Sequence, residues 1–217
     1  MTQFEVEIQD VKSEVINMWQ LVLSQLTKAK EALLSFNKDL AREVMVREKR
    51  VNALELKIDR DCENIFALYC PVAIDLRFLL AVLKINTNLE RIGDIADGIA
   101  RYIAYSPVKF NTGFLESSRL IEMYNGSISI LSDTQASFEF ENTILARTIF
   151  SRDDVLDTIN KNADENISKY IQEDLNNIHE ALNILSIIRK LERVGDQSKN
   201  IAEEIIFYVE AKVLKHQ

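Results

Sequence analysis

Leu89-Glu90-Arg91-Ile92-Gly93-Asp94 returns as Leu191-Glu192-Arg193-Val194-Gly195-Asp196, and the echo runs on from Ile99-Ala100 to Ile201-Ala202. Equivalent residues stand 102 positions apart, as Glu90 and Glu192 do. A shared phrase at one offset, each time near the end of a long helical pattern, marks a chain made of two copies of one unit. On a helix Glu90, Asp94 and Asp97 share a face, as do Glu192, Asp196 and Asn200. Like charges one turn apart are mildly destabilising. A glycine inside a helix costs about 1 kcal/mol relative to alanine. Both copies accept both costs, and a face of oxygen ligands is one explanation.

Working outward, the apolar spacing predicts six long amphipathic helices. The first runs over 3–36 with a stripe that includes Phe4, Ile8, Val11, Val15, Met18, Val22, Leu26 and Leu33, and Asn37 breaks it. The second runs over 39–69, with Leu40, Val44, Val51, Leu54, Ile58, Ile65 and Leu68, and Cys70-Pro71 stops it. The third runs over 72–105 and ends at Ser106-Pro107. The second half repeats the plan over 114–138, 141–172 and 175–214, with Gly126 a weak point in its first helix. The expected fold is all-α: two tandem antiparallel three-helix bundles, residues 1–107 and 108–217, joined between Ser106 and Gly113.

The second helix carries its own polar stripe, Glu48, Asn52, Glu55 and Asp59. The fifth repeats the spacing with Asp153, Asp157, Asn160 and Asp164. In an antiparallel hairpin, residues equally far from the turn stand level. Glu48/Asn52 and Glu90/Asp94 have their midpoint at position 71, the proline of the turn. Asp153/Asp157 and Glu192/Asp196 have theirs between 174 and 175, where the pattern turns again. Two registers thus agree, and helix axes about 8–10 Å apart let such side chains meet. Hard oxygen donors suit Mg, Ca, Mn, Fe(III) or Zn. A solvated acidic face, with Arg91 and Arg193 bridging sideways, is the plainer alternative. Gly93-Ala96-Ala100 and Gly195-Ser198-Ala202 form small-residue ridges, read as helix packing rather than ligand contact.

Composition limits the function. A net charge of −8 argues against a general nucleic-acid binder. No apolar run reaches the length of a membrane span, and the acidic N-terminus lacks a signal-peptide pattern. Cys62 and Cys70 have neither metal nor redox spacing and read as ordinary thiols, so a cytoplasmic setting is expected. No ExxH pair, Walker loop, GxGxxG or nucleophile–histidine arrangement is visible.

On the doubled LERIGD/LERVGD, Pro71 followed by Asp75-Leu76-Arg77, and the acidic middle helices, the chain resembles the PhoU family of phosphate-uptake regulators over nearly its whole length. The resemblance implies two three-helix bundles carrying multinuclear iron or zinc clusters; manganese and nickel stay open. It implies restraint of the phosphate-starvation response through two partners, the ATPase of the phosphate ABC transporter and a phosphate-sensing histidine kinase. It also implies a homodimer. The family's acid-x3-Asp metal motif matches Glu90/Asp94, Glu192/Asp196, Asp153/Asp157 and Glu55/Asp59. The chain departs from it at Asn52 and Asn160. Lys199 takes the place aligned with Asp97, and Gly98 the place of the asparagine kept at Asn200. The first copy is therefore expected to hold metal better than the second. A metal-dependent hydrolase of phosphate compounds and a metal-free adaptor are the competing readings.

Overall fold

The computed structural model describes residues 2–213. Helices α1 (Gln3–Ser35), α2 (Lys38–Tyr69) and α3 (Ala73–Tyr105) form the first bundle. A non-helical segment and the short α4 (Thr112–Ser117) lead into α5 (Leu120–Glu139), α6 (Thr143–Glu173) and α7 (Ile178–Glu210), the second bundle. No strand occurs among the described residues.

Local chemistry sets the ends. Thr2 and Glu5 form a reciprocal capping box that opens α1. Asn37, Asn111 and Asn142 each accept backbone N–H bonds at the starts of α2, α4 and α6. The α2–α3 turn falls at Cys70–Val72, so Pro71 sits in the loop rather than in the first turn of α3. In the second hairpin a 3₁₀ turn, Leu175–Asn177, precedes α7, and α7 stops at Glu210. The expected end at Leu214 lies outside the described residues. The helix expected over 114–138 is split in two. Arg119 takes a left-handed conformation (φ 61°) between α4 and α5, and the chain bends there. Gly126 lies inside α5 without breaking it. A Cβ there would stand 2.9 Å from Leu156 of α6, so its smallness serves close packing.

Most of the predicted stripe is core. Val15, Met18, Val22, Leu26, Val44, Val51, Ile58 and Ile65 are fully buried. Leu68 is 72% exposed, because α2 has passed beyond its neighbours at the turn. Cys62 is buried and Cys70 exposed, both free thiols.

Helices α3 and α7 are the hubs. Each packs on the other two helices of its own bundle, and the two pack on each other. Lys84 faces Glu204 at 3.0 Å, and Lys190 lies over Gly98. Both contacts set one antiparallel register, in which the equivalent residues Gly93 and Gly195 stand level. The two halves are therefore related by an approximate twofold axis through the α3–α7 contact. Trp19 of α1, Phe78 of α3, Phe138 of α5 and Tyr208 of α7 form an aromatic cluster across both halves, with ring centroids 5.6–6.2 Å apart. The Trp19 indole N–H donates to the Leu131 carbonyl at 3.1 Å. The bundles thus share one continuous core.

Candidate functional site

On one flank of this core, α2 lays Glu48 against the backbone of α3 at Gly93. A Cβ on Gly93 would stand 3.1 Å from Glu48 Oε2 and 3.1 Å from Val51 Cγ1. On the other flank, α6 lays Asp153 against Gly195 of α7, tightly enough that a Cβ there would collide with Asp153 Oδ1. The glycines therefore do act in packing, as the ridge predicts, and what they admit is a carboxylate.

Both carboxylates are buried, Glu48 at 8% and Asp153 at 0% exposure. Each is half-satisfied. Gln25 Nε2, from α1, donates to Glu48 Oε2 at 3.0 Å. Lys199 Nζ reaches Asp153 Oδ2 at 3.3 Å. Glu48 Oε1 and Asp153 Oδ1 have no hydrogen-bond partner. Burial pushes Glu48 up to about 7 against the pull of the Gln25 hydrogen bond, and Asp94, Asp97 and Glu90 push the same way. Burial likewise pushes Asp153 up to about 6 against Lys199, with Asp157 and Asp196 adding to it.

The level-matching expected from the sequence appears in these mutual effects. Burial first, then Asp94 and Glu55, raises Glu90. Burial, then Asp59 and Asp94, raises Glu55. In the second copy, burial and then Asp196, Asp157 and Asp153 raise Glu192, and burial and then Asp157 raise Asp196. Each acidic face is thus one electrostatic unit.

Several predicted members are engaged elsewhere. Asp97 is held by Arg101, Nε to Oδ2 at 2.6 Å. Asp59 accepts from the buried Asn86 at 2.8 Å, and that same amide bonds the Glu55 carbonyl at 2.9 Å. Asp164 pairs with Arg189 at 3.1 Å. Asn52 is exposed on α2, and Asn200 lines a groove between α3 and α7 with Lys84 and Arg91. Arg91 therefore borders that groove rather than bridging the acidic face alone.

Gln25 and Asn86 were not foreseen. Gln25 is a polar residue in the apolar stripe of α1, and Asn86 one in that of α3; that misplacement was the available signal. The donor set is hard oxygen, and one orphaned buried oxygen per copy suits a cation. Yet among the described residues no group of three or more His, Cys, Asp or Glu side chains is arranged to hold a metal ion. A cation would need exposed members such as Asp94 to swing inward.

The fold and the two carboxylate faces define an all-helical protein of doubled three-helix units, and the comparisons give its family. The PhoU domain model matches residues 15–103 and again 120–205, so the chain belongs to the PhoU family. A PhoU homolog named as a phosphate-specific transport system accessory protein in Aquifex aeolicus is 36% identical over 217 residues, covering 97% of this chain and 95% of that protein. The Escherichia coli accessory protein of the same name is 32% identical over 214 residues, covering 99% and 88%. The crystal structure of PhoU from Pseudomonas aeruginosa superposes with a TM-score of 0.89 at 31% identity, covering 97% of this chain and all of that one. The phosphate transport system regulatory protein PhoU from Streptococcus pneumoniae gives 0.87 at 26% identity, covering 98% and 100%. Among the described residues no helix is long and apolar enough to cross a membrane.

Proposed function

We propose that this chain is a cytoplasmic accessory regulator of phosphate-specific transport that acts by contact rather than by turnover. Its partners are the ATPase of a phosphate ABC transporter and a phosphate-sensing histidine kinase, and it restrains the phosphate-starvation response. The names of its relatives support the transport role. No side-chain pair at either acidic face has a nucleophile and a base in hydrogen-bond contact, which favours a regulator over a hydrolase.

The same proposal gives the acidic faces iron or zinc. The observation that carries it is the orphaned, buried carboxylate oxygen found at equivalent places in both copies, Glu48 and Asp153. Glu48, Glu90 and Asp94 would hold the ion in the first copy, with Asn52, Glu55, Asp59 and Asp97 around them. Asp153, Asp157, Glu192 and Asp196 would do so in the second, with Asn200 beyond. The ion supplies positive charge that ties α2 to α3, or α6 to α7. Carboxylates drawn to about 4 Å of one another around it would, with the ion removed, repel by about 4 kcal/mol at an effective dielectric of 20. That is enough to bias a conformational equilibrium.

Lys199 already neutralises part of the Asp153 charge, so the first copy is the better metal site. A metal-free adaptor is the second reading, favoured by the dispersed placement of the carboxylates. Elemental analysis of freshly purified protein separates the two. Co-purification with the transporter ATPase and the kinase from phosphate-replete cells tests the role. Recovery of neither, with phosphate uptake unchanged on deletion, would overturn it.

A further inference from the structure

The α3–α7 seam has a groove at each end of its approximate twofold, and the two differ in charge. In one, Lys84 is matched by Glu204 at 3.0 Å, with Glu203 alongside. The other, between the C-terminal half of α3 and the N-terminal half of α7, measures about 620 Å³. Arg101, His179 and Lys190 line it together with the rings of Tyr102 and Tyr105, and no carboxylate does. Lys190 makes no ion pair among the described residues. Its ammonium lies along the α3 backbone because position 98 is glycine; a Cβ there would stand 2.6 Å from Nζ. Arg101 is held in place by Asp97 through Nε and one Nη2 contact, which leaves the Nη1 donors of its fork unspent.

We propose that this groove binds a small anion carrying a flat ring, the chemistry of a mononucleotide. The phosphate sits between Lys190 and Arg101, and the ring lies against Tyr102 and Tyr105. The reasons are size, charge and shape together. The volume falls in the range of small-molecule sites, which are mostly apolar with a few fixed polar groups. In a chain of net charge −8, a lining in which Lys190 has no ion pair among the described residues and Arg101 is paired only to Asp97 behind it attracts an anion by contrast with its surroundings. Aromatic faces add stacking without demanding one particular base.

The test is calorimetric titration of the full chain with AMP, ADP, inorganic phosphate and adenosine, in chelator so that no metal at the acidic faces captures the phosphate. AMP or ADP should bind, and binding should weaken as salt rises. Lys190→Met should weaken it about tenfold or more. Gly98→Ala should weaken it by displacing the lysine tip, while alanine, the better helix former, leaves the fold intact. Lys161→Met, on the exposed face of α6, should change nothing, and melting curves confirm that each variant is folded. No binding of either nucleotide, or binding unaltered in folded Lys190→Met, overturns the proposal. Inorganic phosphate binding as tightly as AMP overturns the ring, and adenosine binding as tightly as AMP overturns the anion.

Discussion

The carboxylate of Asp153 fills the space that a methyl group on Gly195 would need, and Glu48 stands in the same relation to Gly93 across the approximate twofold. The repeated glycine of each LER-x-GD phrase is thus a seat for a buried acid on the neighbouring helix.

Gly195→Ala should therefore destabilise the protein although it improves helix propensity. The new methyl would also stand 2.8 Å from Leu156 Cδ1, so two buried side chains must move. Overpacking of this kind costs about 1–3 kcal/mol. Gly93→Ala should cost less, since its nearest neighbours would be 3.1 Å away. Urea unfolding of both variants checks the order; equal or reversed costs would contradict it.

Stability of the metal-free protein should fall as pH rises through the range where Glu48 titrates. The unfolded chain ionises this group near its ordinary value of 4.5, whereas the fold keeps it neutral up to about 7. The unfolded state therefore gains from ionisation first, and the part of the stability that Glu48 contributes drops between those two values and is flat outside them. The loss is at most about 3 kcal/mol. Glu48→Gln should remove that part of the slope. Unfolding free energies measured in chelator at about pH 5 and about pH 8 decide it; a wild-type slope unchanged in the variant would be the contrary result.

Lys199→Met should destabilise the protein at neutral pH by about 2 kcal/mol, since it strips from a buried carboxylate the one cation paired with it among the described residues. Asp153 is 1% exposed on its side chain and Lys199 37%. The effect should shrink below about pH 5, where Asp153, pushed up to about 6, is neutral in the fold with or without the lysine. A loss independent of pH would mean that the lysine stem, not its charge, matters.

If iron, zinc, manganese or nickel binds the acidic faces, it should raise the melting temperature, because a ligand of the folded state stabilises it. The shift should shrink more in a variant with Glu48, Glu90 and Asp94 all changed to alanine than in one with Asp153, Asp157 and Asp196 changed instead. No shift with any of these ions would favour the metal-free reading.

The two halves should unfold together. Trp19, the single tryptophan, is fully buried against Phe138 of the other bundle and bonds the Leu131 carbonyl. Tryptophan fluorescence and far-ultraviolet circular dichroism should therefore report one midpoint in urea. Two separated transitions would show that the shared core does not couple the bundles.

The helices and their hairpins were legible in the sequence because each carries a long stripe at helical spacing, with Pro71 and Pro107 after α2 and α3 and the capping Asn37 and Asn142 ahead of α2 and α6. The level-matching of α2 with α3 and of α6 with α7 was legible too, since antiparallel register follows from distance to the turn alone. The break at Arg119 was not, because nothing in its local sequence demands φ of 61°. Nor was Gln25 beneath Glu48, because a contact between α1 and α2 depends on how two helices are rotated about their axes.

The sequence by itself thus determined the doubled all-helical plan, the polar stripes and their pairing within each hairpin. These rest on periodicity and on counting along one chain. The tertiary structure alone decided that the two copies lie across an α3–α7 seam with one aromatic core. It also decided that Asp97 turns to Arg101 while Glu48 and Asp153 are buried with one oxygen unpaired. Those outcomes depend on rotation and separation of helices distant in sequence, where burial and neighbouring charge compete over a few ångströms.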